Sequence, residues 1–483
     1  MRPNLQRRER ESNRSGSAEI VPIQRGSRPA SSIRPPKRVL IVSPHFPPER
    51  AAAVHRILRT IKQLRASKWP VSVLTVDPQY YRSGTPVDPS LIGRLPDGVE
   101  VYRAKVLRGL TAIARWRRQL RHAISSGVRR LFGVADRKAA TSHPSATTAK
   151  PASAKRPYID SEIGWFLPAI GEGSRMIRRD RPDIIFSSAP PFTCHLVAGW
   201  LAWRHGVTWV ADFRDPWARS PWKRADLTDP WKLRLREWLE RLVIERADAV
   251  ILNTPALCEE FAEYYGPWFA RKFHTVTNGY DAEHLVPFLR PVMPQRSSRL
   301  VLTHAGSLYR QRDPRPLVKA VASAIAKGRI AADAIELNFI GTVAPEFRLA
   351  ETVRELNLAS SVRLTPPVSH ERCMQYLLES DVLIVIQPGT RLQVPVKLYE
   401  YLPFRKPILA LAPTGALTQI AEDSGLGVVV DPDDVVALED AICDLCEHRD
   451  RLDERYRADS ASIAQYDGNA VSRKLQGILE KLQ

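Results

Sequence analysis

Short apolar runs alternate along this chain with stretches whose apolar positions recur at helical spacing. From Lys37, KRVLIVSP is a run rich in β-branched residues that stops at Pro44. RAAAVHRILRTIKQLRASK then carries apolar positions three and four apart, and WPVSVLTVD supplies a second run. Strand, helix and strand make a βαβ unit, and its right-handed crossover implies a parallel sheet. The rhythm resumes with PDIIFSSAPP, VTWVADFRDPW, DAVILNTP and FHTVTNGYD as strands, separated by helical patterns such as FTCHLVAGWLAWRHG and LRLREWLERLVIERA. Asn278-Gly279 predicts a tight turn with positive φ. The second half repeats the grammar, with RLVLTHAGSL, IELNFIGTV, VRLTPPV, DVLIVIQPG, KPILALAP and LGVVVDP as strands.

The pattern predicts an α/β protein of two doubly wound, Rossmann-like domains facing across a cleft. A chain of 483 residues also exceeds what one core supports. The predicted boundaries are a disordered basic tail at 1–36, an N-terminal domain at 37–285, a Pro-containing linker at 286–299 and a C-terminal domain at 300–460. The helical pattern at 461–483 is predicted to pack back onto the N-terminal domain. Residues 103–157 interrupt the first domain: Leu107, Leu110, Ile113, Leu120, Ile124, Val128, Leu131 and Phe132 recur at helical spacing among arginines, followed by a Pro/Ala/Ser/Lys-rich stretch. Such a basic amphipathic segment either lies on an anionic membrane surface or packs on its own domain with a solvated face.

Net charge of +20 adds attraction to polyanions: nucleic acid, anionic lipid or phosphorylated substrates. No helix-turn-helix, zinc finger or stacking-aromatic motif supports nucleic acid. The five cysteines are scattered, and the Cys443/Cys446 pair sits within a helical pattern without the four ligands a structural zinc needs. No apolar stretch approaches the ~20 residues that cross a bilayer. These features lead to the expectation of a cytoplasmic protein, peripheral on the membrane if it meets one.

In open parallel sheets ligands bind beyond the carboxyl ends of strands, so four loops hold the candidate chemistry. In Ser43–Arg50 and the following helix start, His45, Arg50, His55 and Arg56 favour an anionic substrate, although a rigid surface loop has the same composition. Asp212-Phe213-Arg214-Asp215 sets two carboxylates and a guanidinium at a strand end, as either a closed structural salt bridge or a site. In Gly306-Ser307-Leu308-Tyr309-Arg310-Gln311-Arg312, the glycine permits close backbone approach and Arg312 offers a planar fork for phosphate oxygens. In Pro395-Val396-Lys397-Leu398-Tyr399-Glu400, Lys397 and Glu400 share a helix face; they serve diphosphate and ribose, or they form an i,i+3 salt bridge.

With these loops the chain resembles the family 4 glycosyltransferases of the GT-B fold over nearly all of residues 37–483. VPVKLYEYLPFRKPILA, HAGSLYRQRDP, VTNGYD and the pairing of SSAPP with VADFRDPW carry the resemblance. It implies a retaining transferase with no cofactor and no essential metal. The nucleotide sugar would bind on the second domain, and a lipid-linked or saccharide acceptor, such as a cell-envelope or exopolysaccharide precursor, on the first. Glu400 matches the glutamate the family uses on the donor ribose, Arg312 the basic residue on the donor diphosphate, and Arg214 with Asp215 the place of a His-Asp pair common in relatives. The candidate catalytic residues are thus Arg214, Asp215 and Asp212; the donor set is Gly306, Arg310, Arg312, Lys397, Tyr399 and Glu400; the acceptor set is His45, Arg50 and His55. Two positions depart from the family. Leu392 stands where relatives often carry a further glutamate, and Ser307 where an arginine often follows the glycine, so Arg310, Gln393 or Lys397 would rebuild those contacts. A nucleotide-sugar epimerase on the same fold and a catalytically weak scaffold of polysaccharide assembly are the rival functions.

Overall fold

The computed structural model describes residues 36–107, 159–219, 230–285, 288 and 298–482. The predicted tail, most of the basic segment at 103–157 and most of the 286–299 linker lie outside them.

Near-continuous apolar runs become strands buried on both faces, which is what helix-covered parallel sheets require. The first sheet comprises β1 (Val39–Val42), β2 (Val71–Val76), β3 (Glu100–Ala104), β4 (Ile184–Ala189), β5 (Thr208–Phe213), β6 (Ala249–Leu252) and β7 (Phe273–Thr275), in the order β3-β2-β1-β4-β5-β6-β7. Val39 lies opposite both Val71 and Ile184, so β1 is central and every pairing is parallel. The second sheet comprises β8 (Leu300–Ala305), β9 (Ile335–Ile340), β10 (Val362–Thr365), β11 (Val382–Ile386), β12 (Ile408–Leu411) and β13 (Gly427–Val430), in the order β10-β9-β8-β11-β12-β13, again all parallel. This is the doubly wound α/β architecture the pattern predicts. The strand order reverses between β1 and β4 and between β8 and β11, so each sheet opens a crevice at that point.

Helix α1 (Ala52–Ala66) buries Val54, Ile57, Ile61 and Leu64. Helices α2 (Phe166–Asp180), α3 (Thr193–His205), α4 (Pro230–Arg246) and α5 (Pro255–Tyr265) cover the opposite face of the first sheet. In the second domain α6 (Arg315–Ala326), α7 (Leu349–Glu355), α8 (His370–Glu379), α9 (Val396–Tyr401), α10 (Ala416–Asp423) and α11 (Val435–Glu447) flank the sheet. The last helix, α12 (Gly468–Lys481), shares a core with α1 through Val471, Leu475 and Leu479. Asp467 caps its start by accepting from the Asn469 N–H at 2.9 Å, and the Lys37 ammonium donates to the Leu479 carbonyl at 3.0 Å at its other end. Carboxylate at the amino end and cation at the carboxyl end both complement the helix dipole.

The Asn278-Gly279 turn is corrected. Gly279 is not among the positive-φ residues. A side chain there would strike the Tyr466 carbonyl, because the returning chain runs alongside: Tyr280 N–H donates to Tyr466 O at 3.0 Å, and Gly468 N–H to Tyr280 O at 2.8 Å. Close backbone approach, not turn conformation, requires glycine here.

One buried ion pair ties the first domain together. Arg56 of α1 forks onto Asp212 of β5, Nε to Oδ2 at 3.0 Å and Nη2 to Oδ1 at 2.8 Å, and donates to the carbonyls of Val276 and Thr277 just past β7. Ser188 of β4 donates to the same carboxylate at 2.7 Å. Both charges are almost fully removed from water, at 5% and 0% exposure. Removing one partner strands the other, so Asp212→Asn is expected to cost about 3–5 kcal/mol in denaturant unfolding. Unchanged stability accompanied by lost activity would contradict this structural role.

Candidate functional site

At the crevice of the second sheet, β8 is followed by Gly306, which takes φ 119°. A Cβ at Gly306 would run into Lys397 Nζ and Cε, and one at Gly341 would come within 2.7 Å of the Gly306 backbone. The two glycines therefore let Lys397, from the first turn of α9, lie flat across the end of β8. Arg312 reaches the same place from the loop after β8. Gln387, buried just past β11, accepts from its Nε at 3.1 Å and its Nη2 at 2.7 Å, and the guanidinium lies 5.2 Å from the Tyr309 ring centre.

The charges here are electrostatic neighbours. Burial pushes the Lys397 ammonium down to about 8; Arg312 adds to the fall, and Glu400 opposes it. Burial raises the Glu400 carboxyl, against the pull of Lys397 and of Arg59 from α1. Arg59 is itself lowered to about 10 by burial and by Arg56, while Asp281 and Glu400 resist. Arg312, Lys397, Glu400 and Arg59 thus form a chain of mutual electrostatic influence from the second domain to the first. Its makeup, cations with one carboxylate and exposed glycine backbone, suits a diphosphate joined to a hydroxyl-bearing ring.

Three neighbours of this chain went unnoticed in the sequence. Gln387 fixes Arg312. His304 is 1% exposed with no hydrogen-bond partner for Nδ1 among the described residues, and burial, then Lys397 and Arg312, holds its imidazole well below the usual range. Cys373 of α8 has its thiol raised by burial and then by Glu400. Gln387 and His304 lie at strand ends flanking the β8/β11 reversal, and that position was the available signal.

The other candidates separate. Asp212 is closed into its ion pair with Arg56, the salt-bridge alternative of the two that the sequence left open. Arg214 turns its guanidinium to the carbonyls of Ala189, at 3.1 Å, and Pro190, holding the end of β4. Asp215 faces the second domain and accepts from Gln393 Nε2 at 2.5 Å. Tyr399, of the expected donor set, has its side chain in the core: it is 0% exposed, with its ring 5.2 Å from that of Tyr466. Arg310 is exposed at its loop tip with φ 61°. The His45, Arg50 and His55 cluster is not assembled. His45 Nδ1 pairs with Glu49 Oε2 at 2.7 Å, Arg50 is exposed, and His55 lines a different cavity of about 620 Å³ beside Arg59, Lys62, Arg94, Asp281 and Asp467.

Leu392 does something a glutamate could not. It is 7% exposed and joins the apolar core of the first domain together with Phe192, Phe213 and Trp217. Thr254 Oγ1 donates to its carbonyl at 2.6 Å, and Arg391 stands 3.7 Å from Glu260. The loop after β11 is thus plugged into the facing domain. No group of three or more His, Cys, Asp or Glu among the described residues is placed to hold a metal.

Comparison with known proteins matches this architecture in two segments. Residues 52–279 match the family described as Glycosyl transferase 4-like domain, and residues 299–448 match Glycosyl transferases group 1. The D-inositol 3-phosphate glycosyltransferase of Paenarthrobacter aurescens (strain TC1) is 28% identical over 229 residues, which are 45% of this chain and 54% of that protein; the chain therefore spans about half of that relative's length. Among solved structures, Anabaena HepE in complex with UDP superposes with a TM-score of 0.59 at 14% identity, covering 92% of this chain and 100% of HepE. Sucrose-phosphate synthase from Thermosynechococcus elongatus gives 0.62 at 14% identity, covering 92% and 98%. HepE has also been crystallised with UDP-glucose. With two matched segments in family order on two doubly wound sheets, the chain belongs to the family 4, group 1 glycosyltransferases of the GT-B fold.

Proposed function

We propose that this chain transfers a glycosyl group from a nucleoside diphosphate sugar to a lipid-linked or saccharide acceptor of the cell-envelope or exopolysaccharide type, with retention at the anomeric carbon. The observation that carries the proposal is Lys397 lying across the end of β8 against Gly306, with Arg312 and Glu400 as its electrostatic neighbours. Glu400 accepts from the ribose hydroxyls, and Arg312 and Lys397 hold the diphosphate oxygens. The HepE complexes with UDP and UDP-glucose support a nucleotide sugar as donor.

In the proposed step the bond from the anomeric carbon to the diphosphate oxygen breaks with its electron pair going to that oxygen. The acceptor hydroxyl attacks from the same face, and its proton passes to the departing diphosphate. Arg312 and Lys397 stabilise the charge that develops there. Asp215, which accepts from Gln393 across the cleft, orients the acceptor hydroxyl in this reading. No assisting group is required to take the proton permanently, because the leaving group does so.

Two outcomes test this reading. Arg312→Ala is expected to cut turnover by ~10²-fold or more, measured as nucleoside diphosphate release dependent on acceptor; unchanged turnover would remove Arg312 from the step. Because the lowered Lys397 group is charged below about 8 and neutral above it, kcat/KM for donor is expected to fall as pH rises through about 8. Lys397→Arg, which stays charged throughout, should abolish that alkaline fall. A wild-type profile flat through that region would contradict a role for the Lys397 charge.

A further inference from the structure

The helical layer formed by α2, α3, α4 and the turn before β7 covers one face of the first sheet. Phe166, Trp200, Leu235 and Phe269 point inward from it onto a common core. Its outer side is unusual for a surface in water. The four strongly exposed tryptophans among the described residues, Trp203 at 70%, Trp231 at 52%, Trp238 at 58% and Trp268 at 64%, all sit on this layer.

On α4 the exposure follows one line. Trp231, Arg234, Trp238 and Arg241 are exposed, while Leu239, Val243 and Ile244 are buried. Spacings of three, four and three put the exposed residues on one stripe, an indole alternating with a guanidinium. An indole carries a large apolar ring and one polar N–H, so it is at home where headgroups meet acyl chains. Guanidinium groups at the same depth meet lipid phosphates.

Charge in the sequence favours the same partner. Residues 103–157 contain 14 Lys and Arg against one acidic residue. The described chain flanking that segment, at Val106 and Ile159, packs on the core that α4 covers.

We propose that this face docks on an anionic lipid bilayer, with Trp231 and Trp238 entering the headgroup region and Arg234 pairing with lipid phosphates, while Arg241 stays paired with Glu245 at 2.7 Å. The inference deepens the lipid-linked acceptor reading, on which it rests for its purpose. Binding to vesicles is measured without donor or acceptor, so failure of the docking surface leaves the transfer reaction standing, and the reverse.

The test is co-sedimentation of the full chain with vesicles of phosphatidylcholine alone or mixed with phosphatidylglycerol, alongside indole emission. The expected result is salt-sensitive binding only to the phosphatidylglycerol vesicles, with emission shifted to the blue. Trp231→Ser/Trp238→Ser, with an unchanged melting temperature, should weaken that binding by roughly tenfold or more. Equal binding of the double variant, or equal binding to neutral vesicles, would overturn the proposal. It would also be overturned if gel filtration showed that these tryptophans instead hold two copies of the chain together, or if the double substitution abolished binding to duplex DNA while vesicle binding persisted.

Discussion

Arg312 and Lys397 place two positive charges side by side at the end of β8, partly withdrawn from water, and like charges in such a place repel. Three features hold them there. Gln387 accepts twice from Arg312, Glu400 offsets Lys397, and the absence of a side chain at Gly306 gives Lys397 its path. Burial first, and the neighbouring Arg312 second, lower the Lys397 ammonium to about 8. An anionic group arriving between them relieves the repulsion, and so does negative charge that builds up there during bond cleavage. The rest of the second domain serves to present this spot, since the β8/β11 reversal creates the crevice and α9 delivers both Lys397 and Glu400 from one face.

Similar side chains do different work in the first domain. Arg56 and Asp212 form a bidentate pair with its remaining oxygens and nitrogens satisfied by Ser188 and backbone carbonyls, and it stitches α1, β4, β5 and the chain after β7 into one body. One turn along α1, Arg59 donates to the Gly279 carbonyl at 2.7 Å and is an electrostatic neighbour of Glu400. The two domains meet through Leu392 in the apolar core, through Gln393 on Asp215 and through Arg391 near Glu260. Leu392 thus serves as an apolar anchor between the domains.

The alternation of apolar runs and helical periodicity was sufficient to read every strand of both sheets except β3, because strands buried on both faces leave a clear signature, whereas the edge strand Glu100–Ala104 buries only Ala104 and lacks an apolar run. The strand-end rule also led to Arg312, Lys397 and Glu400, since each sits on a loop or helix start beyond a carboxyl end. What the sequence hid depends on long-range partners. Whether Asp212 is a site or a closed pair turns on Arg56, more than 150 positions away. Tyr399 lies one residue from Glu400, yet the helix turns its ring into the core against Tyr466. His55 follows the Ser43–Arg50 loop in sequence but faces away from it in space. Gly279 reads as a turn residue until the returning chain at Tyr466 shows that space is the requirement. The tryptophans of α4 look like core residues in a one-dimensional pattern, and only the covered side of the helix shows that they are outside.

The central claim is that Arg312 and Lys397 act together as one anion grip. It is tested most directly by calorimetric titration of whichever of UDP, ADP, GDP and dTDP binds the chain most tightly, comparing wild type, Arg312→Ala, Lys397→Ala and the double variant. The account predicts weakened binding in each single variant and a double variant that departs from additivity by about 0.5–3 kcal/mol, as interacting neighbours do. Unchanged affinity in all three variants, or binding of none of the four nucleotides by the wild type, would contradict it.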